Sequence, residues 1–281
     1  MTDTASREHQ RITVIAPPEG VLAIDFAELW SYRELLLLLI WRDATVRYKQ
    51  SVVGIGWALI QPVMMMIIFT LVFGHFAGLP SEGVPYPVLA LSALLPWNYF
   101  ARSLSDSSNS LVGSSALVTK IYFPRVILPL SKVFSGLIDF AIAFVLLIAV
   151  MIWYRIAPSW RIITLPAFTA MAILVALAVG LWMTALNVRY RDVTFIVPFL
   201  VQLWMYASPV AYSTSIVPAR WRWFYALNPL TGVIDGFRWA LLGRTAPRLD
   251  TIAISLAIVV VIFFSGLYYF RRTERTFADI I

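Results

Sequence analysis

The chain contains no cysteine, which excludes disulfides, thiolate metal sites and thiol nucleophiles. Histidine occurs twice, as His9 and His75, too few and too far apart for a histidine-based metal site. Charge is equally scarce: Asp, Glu, Lys and Arg make up 13 % of the residues, where a soluble domain carries about a quarter. Phosphate loops of the form GxxxxGK(S/T), zinc helices of the form HExxH and nucleophile elbows of the form GxSxG are all missing. The chain is therefore expected neither to hydrolyse ATP itself nor to carry a catalytic constellation, a metal or a cofactor. The first 25 residues are mixed and polar, without an apolar core leading to a small-residue cleavage site. No cleavable signal peptide is expected.

What the chain has instead is apolar length. Hydrophobic residues account for 60 % of it and the mean hydropathy is +0.80. A soluble fold of this composition would expose apolar patches large enough to aggregate, so lipid is the expected solvent. Crossing about 30 Å of hydrocarbon takes about 20 apolar residues in a helix. Six stretches qualify, at about 54–77, 86–104, 130–154, 162–186, 195–212 and 251–270. The fifth is interrupted by Pro198 and Pro209, which membrane helices tolerate when neighbours satisfy the freed backbone groups. The expected fold class is an all-α integral membrane protein with six transmembrane helices.

The net charge of +7 reads as topology rather than nucleic-acid binding, because Lys and Arg collect on the cytoplasmic side. With six spans, 15 of the 22 basic residues fall on one side, which places both termini in the cytoplasm. The segment Glu28–Lys49 (ELWSYRELLLLLIWRDATVRYK) has too short an apolar core to span. It also lacks an amphipathic stripe, since consecutive leucines point all round a helix. It reads as a helix at the cytoplasmic interface, its leucines shared between lipid and the spans. The loop between the fifth and sixth stretches holds Trp221, Trp223, Phe224, Tyr225, Phe237 and Trp239, with Asn228–Pro229 and Gly232 as breakers. Aromatics with polar tips suit a membrane interface, so two short helices dipping into the outer leaflet are expected, about 219–227 and 230–243.

Polar groups inside the membrane are costly and often functional. Asp139, mid-way along the third stretch, has two readings: a proton-coupling acid, or a carboxylate hydrogen-bonded to neighbouring helices. Gln61, Asn98 and Gln202 read as packing glue or substrate ligands. Phe195, Phe199, Gln202 and Tyr206 recur at helical spacing, and Gln61, Met65, Phe69, Phe73 and Phe76 trace a similar stripe. Such faces either pack in the core or lipid, or form a smooth path on which sugar rings stack. Spacing leaves both open.

Several stretches together resemble the membrane subunit of ABC-2 type exporters, in the branch that exports O-antigen, capsule or teichoic acid. They are RDATVRYKQSVVGIGWALIQP (Arg42–Pro62), VPYPVLALSALLPWNYFARSLSDSSNSLVGSSALVTKIYFPR (Val84–Arg125), LNVRYRDV (Leu186–Val193), SPVAYS (Ser208–Ser213), LNPLTGVIDGFRWALLG (Leu227–Gly243) and FRRTERTFADII (Phe270–Ile281). The resemblance runs over residues 28–281 and leaves a polar tail, 1–27, outside it.

It implies a homodimeric half-transporter in the bacterial inner membrane. Each copy would sit on a separate nucleotide-binding subunit that binds ATP and Mg²⁺. Lys120, Ile121, Tyr122, Phe123, Pro124 and Arg125, with Arg189, Arg191 and Asp192, are the implied contacts to that subunit. The two aromatic stripes on the first and fifth spans would line the channel. Trp221, Trp223, Phe224, Tyr225, Asn228, Pro229, Phe237 and Trp239 would form re-entrant outer gate helices. A lipid-linked glycan would arrive by its headgroup near Arg42, Arg47 and Lys49, where the alternative is attraction to anionic lipid. Rival readings are an ABC-2 exporter of a small molecule such as a drug or haem, and a membrane-embedded glycosyl- or acyltransferase using Asp139 or His75.

Overall fold

The computed structural model describes residues 26–49, 56–244, 246 and 248–277. The N-terminal tail expected up to residue 27 lies almost wholly outside them, as do the start of the first apolar stretch and the last four residues. Eleven α-helices follow one another in the described chain, with no strand between them. They are α1 (Phe26–Ser31), α2 (Arg33–Lys49), α3 (Gly56–Phe69), α4 (Tyr86–Ser108), α5 (Ser115–Lys120), α6 (Ile127–Trp153), α7 (Leu165–Arg189), α8 (Val193–Tyr206), α9 (Arg222–Leu227), α10 (Pro229–Leu242) and α11 (Leu249–Glu274). All six apolar stretches fall on helices.

Four helical segments of the described chain have both the length and the hydropathy to cross a bilayer: Gly56–Phe76, Ile127–Trp153, Trp160–Arg189 and Leu249–Glu274. This is the architecture of a multi-pass integral membrane protein. The helix α4 is long enough but less apolar, because α6, α7 and α10 sheathe it and spare it from lipid. Its contacts are made by small residues. A methyl group added at Gly136 of α6 would come within 2.8 Å of Ser103 Oγ, and one at Gly180 of α7 within 2.6 Å of Ser107 Oγ. Close approach through small residues is how helices associate where no hydrophobic effect drives them together. Asn187 then ties the ends of α4, α7 and α8: its amide donates to the Ser108 carbonyl (2.9 Å) and to Asn109 Oδ1 (3.0 Å), and Thr194 donates to its oxygen (3.0 Å).

Two expectations need correcting. The fifth stretch does not stay helical to residue 212. The helix α8 ends at Tyr206 after 14 residues, about 21 Å. Beyond it the chain turns, and the Arg238 guanidinium of α10 donates to the freed carbonyls of Tyr212 (2.7 Å) and Val210 (3.0 Å). The interface helix is broken rather than continuous, at Tyr32 between α1 and α2. There Arg33 donates to the Trp30 carbonyl (3.2 Å). The leucine run is shared as expected: Leu35, Leu36 and Leu39 pack with Phe123, Leu267 and Phe270, while Leu37 and Leu38 face outward.

Candidate functional site

The densest concentration of charge joins the end of α2 to α4 and α6. Asp139 of α6 is 15 % exposed and pairs with Arg47 while accepting a hydrogen bond from the Tyr48 hydroxyl. Arg102 Nε of α4 lies 3.3 Å from the same carboxylate, and Arg47 reaches on to Asp106 at 3.1 Å. One turn back along α2, Asp43 takes Lys132 of α6 at 2.7 Å and Arg42 at 2.9 Å. Burial and the acceptor carboxylate push the Tyr48 phenol up to about 12, so it stays a hydrogen-bond donor at neutral pH.

The acid that stood alone in the sequence is thus held by two guanidiniums and a phenol. The hydrogen-bonded reading of Asp139 describes this geometry. Asp106, Arg102 and Tyr48 were not singled out from the sequence, because nothing in a linear pattern pairs residues 91 or 92 positions apart. Beside the cluster, Gln61, Asn98, Arg102, Asp106, Asp139 and Tyr99 border a cavity of about 490 Å³ between α3, α4, α6 and α8. Of the three cations assigned to a lipid headgroup, Arg47 is engaged by Asp139 and Asp106 and Arg42 by Asp43. Lys49 is exposed at the end of α2. They do not form one patch.

The expected contact loop divides into an anchor and a tip. Phe123 is 4 % exposed, packed among Leu117, Leu128 and Phe270, and Pro124 is buried beside it. The Arg125 backbone N–H donates to Glu274 Oε1 of α11 (3.0 Å), and its guanidinium donates to the Glu274 carbonyl. By contrast Lys120, Ile121 and Tyr122 are exposed, Tyr122 to 59 %. Arg189, Arg191 and Asp192, in the turn between α7 and α8, are exposed as well.

The two stripes fare differently. On α8, Phe195, Phe199, Gln202 and Tyr206 form one outward face. On α3 they do not. Phe69 is 5 % exposed and packs edge-on against Phe73 at 5.3 Å, whereas Gln61 and Phe76 face outward. The cause is local: from Thr70 to Phe76 the backbone widens into a π-helix, and the extra residue per turn shifts the phase of everything that follows.

The outer aromatics also separate. Trp221, Trp223 and Phe224 are exposed and mutually stacked, with Trp223 and Phe224 centroids 3.6 Å apart. Phe237 is fully buried against Phe140 (5.9 Å), and Trp239 meets Phe168 edge-on while Arg161 lies over its ring. Asn228 is structural: it caps α10 through Leu230 N (3.1 Å) and accepts from Trp204 Nε1 (2.9 Å). Pro229 is buried at the first position of α10, where its missing N–H costs nothing. Tyr225 shares a hydrogen bond with Tyr212 at 2.7 Å.

A set of crossing helices around a small-residue hub, with an exposed loop tied to the last helix and an aromatic outer segment, defines a membrane permease. The chain belongs to the ABC-2 type transporter family, whose model matches residues 34–242. Among similar proteins, the O-antigen export system permease protein of Myxococcus xanthus is 28 % identical over 258 residues, covering 90 % of this chain and 98 % of that protein. The O-antigen export system permease protein of Klebsiella pneumoniae is 25 % identical over 252 residues, covering 88 % and 95 %. The polysialic acid transport protein of Escherichia coli is 22 % identical over 240 residues, covering 83 % and 91 %.

Proposed function

We propose that this chain is the transmembrane half of an ATP-driven exporter that moves a lipid-linked polysaccharide across the bacterial inner membrane. The observation that carries the reading is the near end-to-end likeness to permeases named for O-antigen export. In this reading two copies form the pathway, each seated on a separate ATPase that binds ATP and Mg²⁺. Both termini are cytoplasmic, and α4 and α8 supply the second and fifth of six spans.

The geometry suggests how force would enter. A side chain presented at the surface can be pushed; one anchored in a core passes the push on. Tyr122 and Ile121 are the exposed tip, Phe123 roots the loop in the core, and the Arg125–Glu274 hydrogen bonds join it to α11. ATP can drive the cycle only by binding one arrangement of the ATPase pair more tightly than the other. The exposed aromatic face of α8 is where a glycan would slide, since stacking tolerates translation while fixed hydrogen bonds resist it. The test is co-purification of the chain with the ATPase encoded beside it. ATPase activity confined to a stable two-plus-two complex, together with loss of surface glycan and unchanged drug sensitivity on deletion, supports the reading. A chain that pairs with no ATPase, or whose deletion leaves surface glycan intact, overturns it.

A further inference from the structure

The outer end of the protein holds a second cavity, of about 300 Å³, which none of the roles above uses. It is enclosed by four separate pieces of chain: Glu82 before α4, Ser213–Val217 after α8, the α9–α10 pair, and the segment entering α11. Liquid water occupies about 30 Å³ per molecule, so the volume corresponds to about ten waters, or to one pyranose ring with its substituents. It also lies at the lower end of the range of small-ligand pockets.

Its chemistry is unusual for a site between membrane helices. Asp235 is nearly buried and accepts from Thr214 Oγ1 at 2.9 Å. Glu82 accepts from Ser213. Arg238 spends two of its nitrogens on the carbonyls of Val210 and Tyr212, yet its Nε is buried without a partner. Thr231 Oγ1, on the same helix, is likewise buried and unpartnered. Both residues line the cavity. Buried polar atoms without partners are rare and need an explanation. At the rim, Arg222, Arg244 and Arg248 outnumber the carboxylates nearby.

We propose that this cavity is a saccharide-binding site that takes one pyranose-sized, polyhydroxylated unit, neutral or acidic. A sugar hydroxyl both donates and accepts, so it can be met by a carboxylate and a guanidinium side by side, as Asp235 and Arg238 stand one helical turn apart. An acyl chain would leave these groups unpaired, and a helix would not fit the volume. The rim arginines admit a carboxylated or phosphorylated sugar. A unit held here bridges all four pieces of the outer segment, so an emerging glycan would fasten the gate it leaves by. The assignment of the sugar to an exported chain rests on the exporter reading; the cavity's preference for a saccharide does not.

The test is saturation-transfer NMR on the full chain with its ATPase in nanodiscs. The probes are methyl glycosides of glucose, galactose, mannose, rhamnose and glucuronic acid, and the monosaccharides released by acid hydrolysis of the producing cell's surface glycan. At least one probe is expected to receive saturation. Asp235→Asn, which keeps the shape and the Thr214 acceptor, should weaken it about tenfold, equivalent to about 1.4 kcal/mol. Ala246→Trp, at an exposed position on the mouth, should abolish it without touching the buried groups. Transfer from the cell's own sugars but not from the panel identifies the exported glycan as the source. No transfer from any probe, or transfer unchanged in both variants, overturns the cavity assignment even if the complex hydrolyses ATP and exports glycan. Specific transfer to a chain that pairs with no ATPase upholds the cavity and refutes the exporter.

Discussion

Replacing Asp139 with alanine should release α2 from the transmembrane bundle. The carboxylate neutralises Arg47, accepts from Tyr48 and faces Arg102 Nε at 3.3 Å. Removing one partner of a buried pair typically costs about 3–5 kcal/mol, because the remaining charge is stranded. Here Asp106 lies 3.1 Å from Arg47 and relieves part of that penalty, and the adjoining cavity borders the site. About 2–3 kcal/mol is therefore expected for Asp139→Ala. Arg47→Ala should cost less, about 1 kcal/mol, because Asp139 retains both Tyr48 and Arg102. The absence of native cysteine makes the assay clean. A thiol introduced by Leu39→Cys sits at a position that is 1 % exposed on the inward face of α2. Its maleimide reaction reports opening of that face. Each 1.4 kcal/mol corresponds to about tenfold, so labelling should accelerate about thirty- to a hundredfold with Asp139→Ala and several-fold with Arg47→Ala. Equal labelling in the parent and Asp139→Ala backgrounds, or a larger effect from Arg47→Ala, would refute the clasp.

In the contact loop, Tyr122→Ala should leave thermal stability unchanged while cutting ATP-driven export, whereas Phe123→Ala should destabilise the fold by about 3–5 kcal/mol; melting curves and transport assays on the same preparations separate the two. Gly236→Ala places a methyl 2.1 Å from a Phe168 ring carbon, so α10 should lift off α7 at a cost of about 1–3 kcal/mol, read as faster hydrogen exchange across α10. The fourth concerns pH. Burial holds the Asp235 carboxyl up to about 6, above its usual range and against the opposing pull of Arg238 and the Thr214 hydrogen bond. Because the folded value is raised, the stabilisation is fully present below pH 3.8 and is lost as pH rises through about 6. Asp235→Asn should therefore raise the melting temperature at pH 7.5 and leave it unchanged at pH 4; a destabilised variant at pH 7.5 would contradict the assignment.

The membrane class was legible from composition, because an apolar chain with so little charge has no soluble solution. The positions of the helices were legible too, since a 20-residue apolar run admits only a helix in lipid. The family was legible in ordered stretches such as KIYFPR and LNVRYRDV, and the break between α9 and α10 in Asn228–Pro229. Each of these is a local property, or a sum of local ones.

What the linear pattern could not decide is which face of a helix meets which neighbour. The stripe on α3 obeyed the helical period on paper, but the π-helical turn from Thr70 moved Phe76 off the face that carries Phe69. The aromatics of the outer segment looked alike, yet Trp223 is exposed and Phe237 is buried, because only the second faces α6. Asp139 read as a lone acid until the fold brought up Arg47, 92 residues away. Composition and period determined that the chain is a helical membrane permease. Only tertiary packing decided its charge pairs and cavities, because a low-dielectric interior forces each buried polar group to find a partner in space rather than in sequence.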